Sequence, residues 1–367
     1  MDFRQTALPW HYRLWLVRNM ISKLQKQIEN NSALMVESDI NRLYLTGEDT
    51  TGGIFLLTNT EAFLIIDARY YESVRTNSSF TAILTHGKYV DTLQDFLGNN
   101  NIKSLLFEEA ELSCKKYSRL TQTLGLPMIP CGDMVTSLRA VKSENEIDAI
   151  HKSQKICEKA FEETKNFITV GKSEKEIALH IRKTVISLGA EDVSFSPIVA
   201  SGINSAIPHH RPGNKKIEEN DIIIIDMGAK CNHYCSDMTR TIFVGQPSDK
   251  QVEIYNLVLK AQENAISSLR AGISCNDGDF LARSVIEKYG YGENFTHSLG
   301  HGIGLQIHEA PRMVNGESDL LQVNNVLSVE PGIYLPRQFG VRIEDLCVIK
   351  EQRVENLTST PKSLISL

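Results

Sequence analysis

Hydrophobic and polar positions change period several times along the chain, and each change marks an element. Residues 222–225 are four consecutive isoleucines, held between Asp221 and Asp226. Such a run predicts a strand buried on both faces. Residues 237–244, rich in Thr, Ile, Phe and Val, predict a second strand. The two-run design returns at 326–330 and 340–349. From Ser143 the period becomes helical, with Ile147, Ile150, Ile156, Ala160 and Phe161 on one stripe. Ser143 and Glu146 form a capping box at its start. Upstream, strand-like runs at 33–37, 53–57, 62–67, 81–84 and 104–107 alternate with helical patterns at 9–30, 69–76, 89–97 and 114–124. Pro127, Pro130, Cys131 and Gly132 then break the pattern. These signals predict an α/β domain over residues 1–137 and a second domain over 138–367. Asp67, His86, Glu108, Glu109 and Glu111 of the first are expected on loops or a solvated face.

The second domain repeats itself. Gly171 and Gly272, Ser173 and Ser274, and Gly189 and Gly290 are each 101 residues apart. Asn220 and Asn324, Asp226 and Glu330, and Gly228 and Gly332 follow at 104, Asp237 and Glu344 at 107, and His209 and His308 at 99. A slowly drifting offset is what loop insertions produce between two similar halves. The domain is therefore expected to be α+β and pseudo-twofold, each half two helices plus sheet, with its site where the halves meet.

The acids sit where such a site needs them. A turn at Cys231-Asn232 would place Asp226 opposite Asp237, and one centred on Arg337 would place Glu330 opposite Glu344. Opposed residues hold their Cβ atoms roughly 4.5–5.5 Å apart, so like charges there repel. Polyvalent cations would remove both conflicts. His297, His301 and His308 lie among Gly300, Gly302 and Gly304, glycines that permit close backbone approach. Four carboxylates and one imidazole suit two divalent ions, manganese first, with cobalt or zinc next. Such a pair can bridge a water, lower its pKa and polarise a carbonyl, which suits amide hydrolysis. A structural site, for example for calcium, fits less well, because calcium takes oxygen ligands.

Composition narrows the setting. A net charge of -6 over 367 residues argues against a general nucleic-acid binder. No apolar run reaches the roughly 20 residues of a membrane span. Trp10, Leu14, Val17, Ile21 and Leu24 predict an amphipathic helix packed on its own domain, with a membrane-surface helix as the lesser alternative. Seven scattered cysteines form no disulfide framework, which fits a reducing cytoplasm. Cys231, His233 and Cys235 make a poor zinc site and suit a hairpin tip better.

The set Asp226, Asp237, His301, Glu330 and Glu344, with the strings Ile-Asp-Met-Gly, Ser-Asp-Met-Thr-Arg-Thr, Gly-His-Gly-Ile-Gly, Val-Glu-Pro-Gly-Ile-Tyr and Arg-Ile-Glu-Asp, closely resembles the metallopeptidases of the pita-bread fold. The string from Ser201 to His209 resembles their proline-peptidase branch, and the N-terminal domain suits it, being creatinase-like. The resemblance covers about residues 141–349. It implies that Asp237 and His301 bind mainly one metal and Asp226 the other. Glu330 and Glu344 would complete the shells, and Asp237 and Glu344 would bridge. It further implies Glu330 as general base, His209 and His308 as oxyanion or substrate contacts, and Arg342 as a support for the carboxylates. His297 is a weaker pocket candidate and Tyr234 a further one. Strand alternation turns Arg240 to the opposite face. The implied activity is that of an Xaa-Pro aminopeptidase acting on peptides with proline second, ahead of an Xaa-Pro dipeptidase, and the implied assembly is a homodimer. A non-catalytic pita-bread binding protein is the alternative from another class.

Overall fold

Residues 19–367 are described by a computed structural model, in which the chain forms two compact units, one running to Arg139 and one from Ala140 to Leu367. Residues 9–18 of the helix expected at 9–30 lie outside the described residues. Residues 19–25 are helical, and Ile21 and Leu24 are buried.

In the first unit, β1 (Ser32–Val36), α1 (Asp39–Thr46), β2 (Ile54–Leu57), β3 (Ala62–Ile66), α2 (Ala68–Val74), β4 (Thr81–Leu84), α3 (Tyr89–Asn99), β5 (Ser104–Phe107), α4 (Cys114–Leu124) and β6 (Met128–Pro130) follow in order. The strands form one sheet, β4-β3-β2-β1-β5-β6, in which only β2 runs against its neighbours. Its apolar strands and the buried stripe of α3 (Leu93, Phe96, Leu97) share one core. Glu108 departs from the expected solvated face. It is buried and accepts hydrogen bonds from the Glu37 and Ser38 backbone N–H groups and from Asn41 Nδ2, closing the turn into α1.

The second unit opens with α5 (Glu144–Phe167), whose capping box forms as the sequence predicts, and α6 (Glu174–Ser187). Then come β7 (Asp192–Val193), β8 (Ile198–Ser201), β9 (Ile222–Met227), β10 (Ala229–Cys231), β11 (Tyr234–Cys235) and β12 (Met238–Phe243). The second half has α7 (Asp249–Ser268), α8 (Cys275–Lys288), β13 (Gly300–Gly302), β14 (Glu309–Met313), β15 (Val326–Val329), β16 (Gly332–Leu335), β17 (Phe339–Arg342), β18 (Asp345–Ile349), β19 (Val354–Asn356) and β20 (Ile365–Ser366). The repeat extends to single hydrogen bonds. The Gly171, Glu174 and Lys175 N–H groups donate to the carbonyls of Ile217, Lys215 and Gly213. Gly272, Cys275 and Asn276 donate in the same way to Leu321, Asp319 and Glu317. Each half packs its helices on its own strands: Ile177 and Ile181 lie in one core with Ile223 and Ile225, and Ile254 and Val258 in another with Leu327 and Cys347.

Candidate metal centre

Two ribbons deliver the acids. The second behaves as its sequence predicts. Val329 faces Asp345 and Gly332 faces Arg342, so Glu330 and Glu344 oppose each other between the two paired stretches, and Arg337 at the turn has φ 61°. The first ribbon differs. Asp226 faces Thr239, not Asp237, because the turn sits at Asn232-His233. Both turn residues have positive φ, 50° and 68°, as a two-residue hairpin turn of the primed kind requires. The slip is two residues, which preserves the face, so Asp237 lies diagonal to Asp226 on the same side of the ribbon.

The donors converge. One ligand atom from each of Asp237, His301 and Glu344 lies within 4.8 Å of the others, and all three residues are buried. His301 Nδ1 lies 3.1 Å from the Gly302 carbonyl oxygen. A carbonyl only accepts, so Nδ1 carries the proton and Nε2 keeps a lone pair. Nε2 faces Glu330 Oε1 at 3.4 Å and Asp237 Oδ2 at 3.7 Å. Burial lowers the His301 pKa, which leaves the ring a neutral ligand and not the cation of an ion pair.

Charge is crowded here. Burial, then the charges of Glu344 and Asp226, hold the Asp237 carboxyl well above the ordinary range. Burial, then Glu330 and Asp226, does the same for Glu344. Burial raises Glu330 to about 7, against the opposing pull of Arg342. Asp226 Oδ1, Asp237 Oδ1 and Glu344 Oε1 are buried without a hydrogen-bond partner. Orphaned buried carboxylate oxygens are costly, and metal coordination satisfies them. With one imidazole among carboxylates, the donor set fits divalent ions.

The other oxygens are held. Arg342 Nη2 donates to Asp226 Oδ2 (2.7 Å), Nε to Thr239 Oγ1 (3.1 Å), and Nη1 to Tyr334 Oη (2.8 Å) and Pro208 O (3.3 Å). Thr239 Oγ1 donates to Glu344 Oε2 at 2.7 Å. Ser328 Oγ accepts from the His301 N–H and donates to Glu330 Oε1, both at 3.0 Å. Sequence reasoning missed Thr239 and Ser328. Each sits two positions from a metal-site acid on the same strand face, so the alternation rule points to them.

The histidines divide. His308 packs edge-to-face on His301 with centroids 4.3 Å apart, and burial followed by the charge of His301 lowers it to about 4. His209 lies on the exposed loop after Pro208, whose carbonyl Arg342 holds. His297 Nδ1 donates to Ser298 O, so Nε2 accepts from Tyr334 Oη (2.8 Å); burial holds this ring near 3. Tyr234 points away from the acids and donates to Glu146 in the cap of α5. His233 stands 3.8 Å from Glu191 on the hairpin tip, and Cys235 is buried under Leu305. Arg240 turns to the opposite face, as alternation requires, and is fully buried against Asp345.

Comparison with known proteins fits this geometry. Residues 148–351 match metallopeptidase family M24, and residues 20–141 match the creatinase/prolidase N-terminal domain. The Xaa-Pro dipeptidase of Pyrococcus furiosus is 36% identical over 353 residues, covering 95% of this chain and 100% of that protein. The solved Xaa-Pro dipeptidase from Bacillus anthracis superposes with a TM-score of 0.93 at 36% identity, over 96% of this chain and 100% of that one. The X-Pro aminopeptidase from Thermotoga maritima gives 0.88 at 37% identity, over 94% and 100%. The chain is thus a metallo-exopeptidase of family M24, in its pita-bread, proline-peptidase branch.

Proposed function

We propose that this protein hydrolyses the Xaa-Pro bond of dipeptides, with two divalent cations held by Asp226, Asp237, His301, Glu330 and Glu344. The observation that carries the proposal is the buried convergence of Asp237, His301 and Glu344, together with the buried oxygens of Asp226, Asp237 and Glu344 that have no hydrogen-bond partner. Manganese is the expected ion, with cobalt or zinc as substitutes. When bound, such ions polarise the scissile carbonyl and acidify a water at neutral pH.

The chain's own groups do the rest. Glu330, steadied by Ser328, takes the proton of the attacking water at its carboxylate. Asp237 and Glu344, each with a buried oxygen that has no hydrogen-bond partner, would help hold the ions. His308, neutral and half-buried beside His301, and His209 on its loop contact the substrate carbonyl as negative charge develops. Arg342 fixes Asp226 and, through Thr239, Glu344. Xaa-Pro bonds lack an N–H and carry a rigid ring, so a pocket shaped for pyrrolidine gains where others lose. The dipeptide preference is supported by the names of the Pyrococcus and Bacillus relatives. It reverses the order expected from sequence, and the Thermotoga relative keeps longer Xaa-Pro peptides as the second reading. A reducing cytoplasm is the proposed setting, supported by seven free cysteines, and the homodimer rests on the family resemblance alone.

The test measures hydrolysis of Xaa-Pro dipeptides and Xaa-Pro-Yaa tripeptides side by side with added Mn²⁺. Faster turnover of the dipeptides is expected. Preferential cleavage of the tripeptides would restore the aminopeptidase assignment. Inertness towards both, with Mn²⁺, Co²⁺ and Zn²⁺ alike, would reject the proposal.

A further inference from the structure

Outside the metal centre, the carboxylate of Glu174 is saturated with donors. It opens α6 and is completely buried. Oε1 accepts from Ser201 N–H (2.8 Å), Ser201 Oγ (2.8 Å) and Asn204 Nδ2 (2.9 Å). Oε2 accepts from His210 Nε2 (2.8 Å) and the Gly213 N–H (3.1 Å). These donors come from both ends of one loop. Ser201 ends β8, Asn204 lies in the 3-10 turn that follows, and His210 and Gly213 lie on the return. Between them is Pro208-His209, at the point where Arg342 holds the Pro208 carbonyl.

The 3-10 turn lies against β17, β9 and β16, but the larger apolar side chains of the loop stay out of the core. Ile203 and Ile207 are 53% and 51% exposed. Beyond Glu174, the loop is anchored at Ser205, whose Oγ accepts from the Gly340 N–H, at the Pro208 carbonyl, which Arg342 holds, and at the Gly213 carbonyl, which accepts from the Lys175 N–H. Nor does the helix need Glu174 for its cap. Ser173 and Glu176 already form the capping box. The pseudo-twofold supplies a comparison within the molecule. Cys275 occupies the equivalent position at the start of α8, makes the equivalent backbone bond and simply packs in the core. The architecture is therefore built once without a carboxylate at this position. The half with a carboxylate there uses it on the loop carrying His209.

We propose that Glu174 is a positioning residue, clamping loop 201–213 so that His209 faces the metal centre. This rests on the role assigned to His209 above. Two measurements on the full-length, metal-loaded protein test it. In hydrogen exchange, Glu174→Gln, which keeps shape but replaces one acceptor oxygen by a donor, should speed exchange across 201–213 about tenfold or more. Residues 222–244 and 326–349 should keep their protection. Unchanged exchange in the loop would overturn the proposal, whatever the enzyme cleaves. In kinetics on an Xaa-Pro dipeptide, Glu174→Gln should lower kcat/KM by roughly 10- to 100-fold with metal content retained, as misplacing a reacting group by about 1 Å does. In the His209→Ala background the same change should cost less than about twofold, because the clamp acts through His209. A full additive loss in the double variant would overturn the proposal alone. His209→Ala turning over at the wild-type rate would overturn it together with the role given to that histidine. If the wild type cleaves no Xaa-Pro peptide, the proposed function falls and the exchange result still decides the clamp.

Discussion

Gly300 should not tolerate a single added carbon. A Cβ built there lies 1.9 Å from the Ser328 carbonyl oxygen and 2.9 Å from Ser328 Oγ. Carbon and oxygen approach to about 3.3 Å at closest, even in favourable contacts. Alanine therefore demands about 1.4 Å of separation between β13 and β15. Backbone inside a sheet yields such a distance only by breaking its ladder. His301 rides on β13, and its N–H donates to the same Ser328 hydroxyl that steadies Glu330. Metal–ligand distances tolerate only about 0.2 Å. Gly300→Ala should cost about 1–3 kcal/mol of stability as overpacking. It should also lower metal-dependent kcat/KM by 10²-fold or more, since ~1 Å of misplacement suffices for that. Thermal unfolding and peptide hydrolysis under saturating Mn²⁺ measure both. Gly98→Ala is the control: it lies inside α3, its added Cβ meets nothing within 4 Å, and it should stabilise by up to ~1 kcal/mol. Wild-type melting and turnover for Gly300→Ala would refute the close approach on which the seating of His301 depends.

Three further outcomes are expected. Glu330→Gln or His308→Ala should abolish most Xaa-Pro hydrolysis while circular dichroism stays native; near-normal rates in either would remove that residue from the reaction. Arg240→Met should destabilise the protein by roughly 3 kcal/mol in denaturant titration, because it leaves buried Asp345 with Lys362 as its remaining cation and frees the Thr360 and Pro361 carbonyls; a loss below about 0.5 kcal/mol would contradict this. In metal-free protein Glu330 titrates near 7, above its ordinary 4.5, so its contribution to stability is present at low pH and lost as pH rises through about 7. Asp237 and Glu344 are displaced in the same direction. The buried His297 and His308, held near 3 and 4, pull the other way up to about pH 7.5, because the rings of the unfolded chain stay partly charged there; Glu330→Gln shares them and serves as the reference. The metal-free Tm of the wild type, measured relative to Glu330→Gln, should therefore fall between about pH 5 and 7, and a flat or rising difference would count against the crowded carboxylates.

Much of the site was legible because short-range rules govern it. Glu330 and Glu344 were paired correctly because the turn centred on Arg337 fixes the register of both flanking stretches. The Asp226 ribbon slipped by two because Asn232-His233, not Cys231-Asn232, takes the two left-handed conformations, and an Asn-His pair is a weaker turn signal than Asn-Gly. The slip did not move Asp237 to the wrong face, since the side-chain period is two. The helix start at Ser143 was readable from its cap. What could not be read depended on distant partners. Glu108 looks like a surface acid until donors some seventy residues upstream close on it. Glu174 reads as an ordinary first-turn acid until the 201–213 loop folds back over it. Thr239 and Ser328 matter only through the acids beside them.

The central claim is that two ribbons bring Asp226, Asp237, His301, Glu330 and Glu344 to one point, where divalent cations hold them. Its most direct measurement is the stoichiometry of Mn²⁺ binding by calorimetric titration of chelator-treated protein. Two ions per chain are expected for the wild type, falling to one or none in Glu344→Ala with the fold retained. Wild-type protein that takes up no Mn²⁺, Co²⁺ or Zn²⁺, or a Glu344→Ala variant that still binds two ions with unchanged affinity, would contradict it.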